Sequence, residues 1–222
     1  MSDSSNKINI AIDGPVGCGK STTAKILAKK LNYIFVDSGA LYRAVGYYMK
    51  NNNIFKNNFN PQILNNIKMY FDENGEIILN NKNISKEIRT PQIGLAASDF
   101  GTIKEIREFL TKQQQEIVKS KGYIAEGRDI GSTVIPEAEL KIYLTASVEE
   151  RAKRRYLDFK EKNIEISLEE VKKQIETRDY QDMNRTISPL IKTPDAIEVD
   201  TSNLNIEEQT EIIYKLALSR IN

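Results

Sequence analysis

Residues 8–22 read Ile8-Asn-Ile-Ala-Ile-Asp-Gly14-Pro-Val-Gly17-Cys-Gly19-Lys20-Ser21-Thr22. The stretch contains the pattern Gly14-x-x-x-x-Gly19-Lys20-Ser21, which is typical of a phosphate-binding loop. A β-branched apolar run precedes the loop, and residues 24–31 carry apolar side chains at helical spacing. A strand before the glycines and a helix after them is the context in which this motif binds phosphates. The sequence therefore predicts a nucleoside triphosphate site here.

Each residue type in this loop has a physical role. The glycines allow backbone conformations that a Cβ would forbid, so that successive N–H groups face the phosphates. The start of the following helix adds unpaired N–H groups and the positive end of its dipole. We expect Lys20 to reach the β- and γ-phosphates and the Ser21 hydroxyl to ligate the cofactor Mg²⁺. The expected nucleotide-binding residues are Gly14, Pro15, Val16, Gly17, Cys18, Gly19, Lys20, Ser21 and Thr22.

The composition is that of an ordinary globular protein. The chain has 222 residues, 40% of them hydrophobic and 28% charged, which gives room for one large domain with an insertion. A net charge of +1 provides no general attraction to nucleic acid or to an anionic membrane. No apolar run approaches the roughly 18 residues of a membrane span, and the polar start lacks a signal-peptide core. We expect a cytoplasmic protein, monomeric by default, without nucleic-acid or membrane partners.

The residue inventory excludes several kinds of chemistry. There is no histidine and only one cysteine, Cys18. Nucleophiles activated by histidine, intramolecular disulfides and four-cysteine zinc sites are therefore excluded. Phosphoryl transfer remains, because it depends mainly on positioning and charge stabilisation. Six of the ten arginines lie between residues 128 and 185. We interpret this cluster as a phosphate-binding set, because a guanidinium group suits bidentate phosphate recognition. The alternative interpretation is that these arginines lie on a solvated helix face.

Apolar runs that alternate with helical patterns predict the fold class. We expect an α/β fold with a five-stranded parallel sheet and helices on both faces. The predicted strands are 8–12, 33–36, 123–125, 140–144 and 196–199. Residues 67–85 predict a small antiparallel β insertion within 59–91. Two capping boxes, Ser147-x-x-Glu150 and Ser167-x-x-Glu170, predict helix starts, and Ser38 is interpreted as an N-cap.

Two short motifs have structural explanations. Asp99-Phe100-Gly101 resembles the metal motif of protein kinases, but the catalytic loop and glycine loop of those kinases are missing from the sequence. Asp72-x-x-Gly75 has a spacing seen in GTPases, yet it lies at a predicted hairpin turn, where Asp and Gly are favoured. We interpret both motifs as structural.

The phosphate acceptor is better explained as a phosphate monoester than as an alcohol. An alcohol usually needs a carboxylate or imidazole base, whereas a monoester is mostly dianionic at neutral pH. The obstacle for a monoester is repulsion between two polyanions, which arginines and Mg²⁺ reduce. A sequence with a phosphate loop, several arginines and no histidine therefore favours a phosphate acceptor.

The ordered set of motifs resembles the bacterial-type cytidylate kinases, a family of P-loop nucleoside monophosphate kinases. Besides the loop, the matching stretches are Asp37-Ser-Gly-Ala-Leu-Tyr-Arg43, Glu126-Gly-Arg-Asp-Ile-Gly131, Leu140–Ser147, Glu150–Arg155, Arg178–Arg185 with Pro189-Leu190, and Asp200-Thr-Ser202. The resemblance covers nearly the whole chain. It implies transfer of the γ-phosphoryl group of ATP to CMP or dCMP, in pyrimidine nucleotide metabolism. It also implies one domain over 1–222, a monophosphate-binding insertion at 59–91 and a lid at 151–166.

The resemblance further implies roles for the residues that match position by position. The CMP phosphate would be held by Arg43, Arg128 and Arg185. The cytosine edge would be read by Ser98, Arg107 and Asp129. The sugar hydroxyls would be bound by Arg178 and Asp182, with Ser38 lining the same pocket. Arg151 and Arg155 would belong to the lid over ATP. The implied catalytic residues are Lys20, Arg128, Arg155 and Arg185.

Three other functions stay open at this point. They are an alcohol-directed P-loop kinase such as a shikimate or dephospho-coenzyme A kinase, a kinase that prefers UMP or acts more broadly on pyrimidine monophosphates, and a nucleotide-binding regulatory module without turnover. The insertion and the arginines of 178–185 disfavour the first, and the intact Lys20 and Ser21 disfavour the last. Cys18 stands where the family usually has a small residue. Because a helix N-terminus lowers thiol pKa values, this departure raises a hypothesis of redox sensitivity.

Overall fold

The computed structural model describes residues 7–72, 75–161 and 163–221. These residues form two compact units. Unit 1 is the described part of Met1–Phe35 and Ser120–Asn222, and unit 2 is the described part of Val36–Lys119.

The strands, in chain order, are β1 Ile10–Asp13, β2 Ile34–Asp37, β3 Met69–Phe71, β4 Ile77–Leu79, β5 Lys82–Asn83, β6 Tyr123–Gly127, β7 Leu140–Thr145 and β8 Ile197–Asp200. The helices are α1 Lys20–Leu31, α2 Ser38–Asn51, α3 Pro91–Phe100, α4 Lys104–Ile117, α5 Val148–Glu161, α6 Leu168–Asn184 and α7 Ile206–Ile221. Short 3₁₀ turns lie at Lys56–Asn58, Pro61–Asn66 and Glu87–Arg89, and a π turn lies at Ile130–Val134.

Over the described residues, the main sheet has five parallel strands in the order β2-β6-β1-β7-β8. The central strand β1 is fully buried, which explains its unbroken Ile-Ala-Ile sequence. Its Ile12 lies opposite Glu126 of β6 and Ile142 of β7. Helices α1 and α7 pack against each other, and both contact the sheet. The carboxyl end of β1 therefore leads directly into the glycine loop, in the centre of the sheet.

Unit 2 has its own small sheet and its own core. Strands β3, β4 and β5 form an antiparallel sheet in that order. Its core is built from residues of β4 and of helices α2 and α4, among them the fully buried Leu41, Met49, Ile106 and Leu110. The turn between β3 and β4 is held by Asp72, whose Oδ1 accepts the Glu76 N–H at 2.9 Å.

The predicted fold class is confirmed: a five-stranded parallel sheet with helices and a small antiparallel insertion. The boundaries of the five parallel strands differ from the predicted ones by at most two residues. Asp99 forms an ion pair with Lys56 at 2.6 Å at the end of α3, in agreement with its structural interpretation. Within 7–72, 75–161 and 163–221, every helix is too short or too polar to span a membrane.

Two capping predictions were wrong in detail. The N-cap of α2 is Asp37, whose carboxylate accepts the Ala40 N–H at 2.8 Å, and Ser38 is the first helical residue. The box at Ser147 is half formed, because Ser147 Oγ accepts the Glu150 N–H at 3.2 Å while the Ser147 N–H donates to Ser202 Oγ. In the first case the Asp37 carboxylate, and not the Ser38 hydroxyl, accepts the backbone N–H at the helix start. In the second case the distant Ser202, and not Glu150, accepts the Ser147 N–H. The box at 167–170 is complete.

Candidate active site

The glycine loop between β1 and α1 has a backbone that other residues rarely adopt. Gly14, Gly17 and Gly19 all have positive φ, at 149°, 85° and 85°. A Cβ on Gly14 would lie 2.0 Å from the carbonyl oxygen of Leu144 in β7. This first glycine is therefore required both by its own conformation and by the close approach of the neighbouring strand.

Gly14→Ala should lower the free energy of unfolding by at least about 3 kcal/mol, because it adds both backbone strain and a clash with β7. Urea denaturation measures the change. Gly94→Ala is the matched control: it lies in α3 with open space around the new Cβ, so a gain of up to about 1 kcal/mol is expected. Equal stabilities for wild type and Gly14→Ala would contradict this account of the loop.

Lys20, the first residue of α1, is buried against the loop. Its Nζ donates to the Pro15 carbonyl at 2.7 Å. Burial lowers the pKa of Lys20, and the positive charge of Arg128 lowers it further. The ammonium thus lies within the loop and is poorly solvated by water. A phosphate oxygen that binds there would therefore interact strongly with its charge.

The Ser21 hydroxyl and the Glu126 carboxylate lie together. Ser21 Oγ donates to Glu126 Oε1 at 2.7 Å, and Glu126, in β6, is itself buried. Among the described residues no group of three or more His, Cys, Asp and Glu side chains is placed to hold a metal ion. One hydroxyl beside one carboxylate nevertheless fits Mg²⁺, which keeps several waters and takes one or two carboxylates together with substrate phosphates.

Asp13, the last residue of β1, holds the turn that follows β6. Its two carboxylate oxygens accept the N–H groups of Ile130 at 2.9 Å and Gly131 at 2.7 Å. Burial raises the pKa of Asp13 to about 6, although the two hydrogen bonds stabilise the ionised carboxylate and act in the opposite direction. The carboxyl therefore fixes the backbone directly after Arg128 and Asp129.

The raised pKa of Asp13 sets the sign of a pH effect. Between the ordinary aspartate pKa of 3.8 and the raised pKa of about 6, the folded protein holds a proton that the unfolded chain releases. The stability that Asp13 contributes is therefore greatest below this window and falls as the pH rises through it. Relative to Asp13→Asn, wild type should be about 1 kcal/mol more stable at pH 5 than at pH 7. Urea denaturation at both pH values checks this; parallel stability curves for the two proteins would contradict it.

Helices α5 and α6 hold the middle of the loop at Val16. The Val16 N–H donates to Asp179 Oδ1 at 3.3 Å, and the Val16 carbonyl accepts from Arg151 Nη1 at 3.0 Å. The same Arg151 nitrogen lies 2.5 Å from Asp179 Oδ2. Arg151 is buried, so in this structure it supports the loop. Arg155, one turn further along α5, lies over the Phe159 ring at 4.9 Å.

Cys18 is a buried part of the loop. Its Sγ donates to the carbonyl oxygens of Pro15 at 2.9 Å and Leu144 at 3.3 Å, and its side chain has no exposed surface. Reactive thiols are partly exposed to solvent. The structure therefore gives no support to redox sensitivity and indicates that the thiol helps to pack the loop.

A cluster of charged side chains surrounds Asp182 of α6. Asp182 accepts from Arg128 Nε at 2.8 Å and from Arg185 Nη1 at 3.3 Å, and Arg178 Nε lies 4.0 Å away. Burial opposes ionisation, but the charges of Arg128 and Arg178 outweigh it and hold the pKa of Asp182 below its usual range. Arg185 also lies 3.5 Å from Asp129. Three guanidinium groups on one carboxylate leave an excess of positive charge.

Four of the residues to which the sequence assigned a role, Ser38, Arg43, Ser98 and Arg107, belong to unit 2. Ser38 and Arg107 are buried and Ser98 is half-buried. Arg107 donates to the Gly101 carbonyl at 3.1 Å and lies over the Tyr42 ring at 5.2 Å. Arg43 forms an ion pair with Asp37 at 2.9 Å.

Several charged residues with defined partners received no role from the sequence. In unit 1 they are Asp13, Glu126 and Asp179, and in unit 2 they are Asp37 and Arg89, which form an ion pair at 2.9 Å. The available signal was position, since Asp13, Asp37 and Glu126 lie at or near the carboxyl ends of parallel strands, where open α/β sheets bind ligands. Asp179 and Arg89 carried no comparable signal, because their partners are distant in sequence.

Comparison with known proteins agrees with this geometry. The family model described as cytidylate kinase matches residues 10–219. The cytidylate kinase of Fervidobacterium nodosum is 48% identical over 212 residues, covering 95% of this chain and 96% of that protein. The cytidylate kinase of Thermosipho melanesiensis is 48% identical over 207 residues, covering 93% and 95%. Among solved structures, an uncharacterized protein from Eubacterium ventriosum aligns over 96% of this chain and 99% of its own, with a TM-score of 0.54 and 13% identity, a likeness of fold alone. The chain belongs to the cytidylate kinase family.

Proposed function

We propose that this chain is an ATP-dependent kinase that transfers the γ-phosphoryl group of ATP to CMP or dCMP, giving ADP with CDP or dCDP. The observation that carries the proposal is the presence, in unit 1, of a phosphate loop with a buried lysine and of a separate arginine cluster on Asp182. The first suits a triphosphate donor and the second a phosphate-bearing acceptor. Family membership supplies the nucleotide base.

The donor half of the proposed site is the loop with Lys20. The Lys20 ammonium already donates to one carbonyl at 2.7 Å, and a charged phosphate oxygen is a stronger acceptor than that carbonyl. Loop N–H groups and the start of α1 add further donors. Lys20 would thus draw negative charge toward the β–γ bridge as that bond breaks. Arg151 and Arg155 of α5 are proposed to act on ATP as part of a lid at 151–166.

We assign the Mg²⁺ that accompanies ATP to Ser21 and Glu126. Their hydrogen bond of 2.7 Å places one hydroxyl and one carboxylate oxygen side by side. When bound, the ion neutralises charge on the β- and γ-phosphates. Ser21 sits in the first turn of α1, so that its hydroxyl is fixed by the same helix that carries Lys20.

The acceptor half needs no general base. An oxygen of the dianionic monophosphate attacks the γ-phosphorus, a new P–O bond forms, and the bond to the β-phosphate oxygen breaks to release ADP. We propose that Arg128 and Arg185 hold this monophosphate and reduce the repulsion between the two nucleotides. Arg178 and Asp182 are proposed to bind the sugar, and Asp129 to read the cytosine amine.

The remaining assignments rest on the family resemblance. In unit 2, Arg43 is proposed to bind the CMP phosphate, Ser98 and Arg107 the cytosine edge, and Ser38 to line the acceptor pocket. The single-domain organisation over 1–222, the monophosphate-binding role of 59–91 and a monomeric state are proposals of the same kind.

Initial rates with ATP, Mg²⁺ and a panel of nucleoside monophosphates test the proposal. CMP and dCMP should give the highest kcat/KM, and Asp129→Ala should reduce CMP use more than it changes the KM for ATP. UMP as the preferred acceptor would support a uridylate kinase. Equal rates with AMP and CMP would contradict the cytosine-reading assignment.

A further inference from the structure

In unit 1, one buried ion pair holds both backbone groups of Val16, in the middle of the phosphate loop. Asp179 Oδ1 of α6 accepts the Val16 N–H at 3.3 Å, and Arg151 Nη1 of α5 donates to the Val16 carbonyl at 3.0 Å. The same Nη1 donates to Asp179 Oδ2 at 2.5 Å. The carboxylate, the guanidinium and the Val16 backbone are therefore joined in a ring of three hydrogen bonds.

Further contacts fasten the loop to the same two helices. Arg151 Nε donates to the Ala146 carbonyl at 2.9 Å, which fixes the guanidinium from a second side. A Cβ on Gly17 would lie 3.1 Å from the Arg151 Cβ, so the loop backbone packs directly on α5. The Val16 side chain packs against the small core between α5 and α6, which includes the fully buried Val171. Polar and apolar contacts thus act together at this part of the loop.

The helix that supplies Asp179 also supplies Asp182. The two carboxylates lie three residues apart on the buried side of α6. Asp182 accepts from Arg128 and Arg185, which are assigned to the acceptor. One turn of α6 therefore holds the donor loop with one carboxylate and the acceptor arginines with the next.

The burial of the pair indicates what it contributes. The side chains of Arg151 and Asp179 are both buried. A buried ion pair often adds little net stability compared with apolar side chains, because the charges lose their hydration. The pair is therefore better explained by the peptide that it holds than by a gain in stability. A loop that is ordered before its ligand arrives loses less conformational entropy on binding.

We propose that Asp179 is a positioning residue for the donor nucleotide: together with Arg151 it holds the Val16 backbone and keeps the phosphate loop in its binding shape. The inference rests on the proposed function, since it takes this loop as the ATP site. The competing explanation is a purely structural ion pair, which joins α5 to α6 and has no effect on the affinity of the loop for phosphate.

Binding of ATP, inorganic tripolyphosphate and CMP separates the two explanations. Asp179→Ala should weaken ATP binding about tenfold, the effect of one lost hydrogen bond to a charged group. Tripolyphosphate should lose about the same factor, because the loop binds the phosphates and not the base. CMP affinity should change less than about threefold, because Asp182 keeps its arginines. Isothermal titration in the presence of Mg²⁺ measures the three affinities.

The sign of the effect makes this test sharp. Asp179→Ala removes a negative charge near a site for anions, and this change alone would strengthen the binding of ATP and tripolyphosphate. Weaker binding of both therefore indicates lost positioning. Asp179→Asn removes the same charge but keeps an oxygen that can accept the Val16 N–H, so it should bind ATP more tightly than Asp179→Ala does.

Glu176→Ala is the matched control, since Glu176 is an exposed carboxylate three residues earlier on α6. It should leave all three affinities unchanged. Thermal melting shows whether each variant is folded. If Asp179→Ala is not, Asp179→Asn decides, with an expected loss of about threefold for ATP and tripolyphosphate and none for CMP.

Three results would overturn the proposal. They are equal losses for ATP and CMP, ATP binding at least as tight as in wild type, and a loss for ATP that tripolyphosphate does not share. The proposed function fails separately: wild type would then bind ATP and tripolyphosphate but transfer no phosphoryl group to CMP. The monophosphate that it does phosphorylate then takes the place of CMP in the same comparison.

Discussion

Lys20→Ala should lower kcat for phosphoryl transfer by at least about a thousandfold with every acceptor, because it removes the one ammonium inside the phosphate loop. The Lys20 side chain is buried and donates to the Pro15 carbonyl, so water cannot easily replace its charge. The effect should appear in kcat more than in the KM for CMP, since Lys20 is assigned to the donor. Coupled detection of ADP measures both constants.

The control for this substitution is Lys29→Ala. Lys29 is an exposed lysine on the same helix, α1, and its loss should leave kcat within about twofold, as is usual for surface positions. If Lys20→Ala keeps more than a tenth of the wild-type kcat while its folding is intact, the loop does not perform the role assigned to it.

Arg128→Ala should lower kcat/KM for CMP by about a thousandfold, because it removes a charge assigned to the acceptor phosphate and loosens the cluster on Asp182. Arg128 donates to Asp182 at 2.8 Å from a largely buried position. The KM for ATP should change less than about threefold. Loss of this positive charge also removes one cause of the lowered pKa of Lys20, so on this count the substitution favours the charged form of the lysine.

Stability should fall moderately in the same variant, by about 1–3 kcal/mol, because Asp182 loses its shortest hydrogen bond but keeps Arg185 and the nearby Arg178. Arg220→Ala, at an exposed position of α7, is the control and should change neither quantity. An equal rise in the KM values for ATP and CMP would show that the cluster is not specific to the acceptor.

The fold and the donor loop could be predicted from sequence because their signals are local. A strand, a glycine pattern and a helix follow one another within residues 8–31, and the alternation of apolar runs fixes the sheet class. The helix start at 167–170 was also correct, since both partners of its capping box lie in one turn. At Ser147 the helix also starts as the pattern predicts, with α5 at Val148, but only half of the box forms, because the Ser147 N–H donates to Ser202 from a distant part of the chain.

The electrostatic framework of the site could not be predicted, because its partners are far apart in sequence. Asp13 accepts from Ile130 and Gly131, more than a hundred residues later. In unit 1 the Ser21 hydroxyl donates to Glu126, and within unit 2 Arg89 donates to Asp37. Residue type alone does not choose among the many carboxylates available to an arginine or a hydroxyl; packing of the folded chain makes that choice.

Transfer between two nucleotides is the central claim, and following the γ-phosphoryl group tests it most directly. ATP labelled in its γ-phosphate is incubated with CMP and Mg²⁺, and the products are separated by chromatography. The account predicts that the label appears in the terminal phosphate of CDP, with one ADP formed for each CDP. Label recovered as inorganic phosphate, with CMP unchanged, would contradict it.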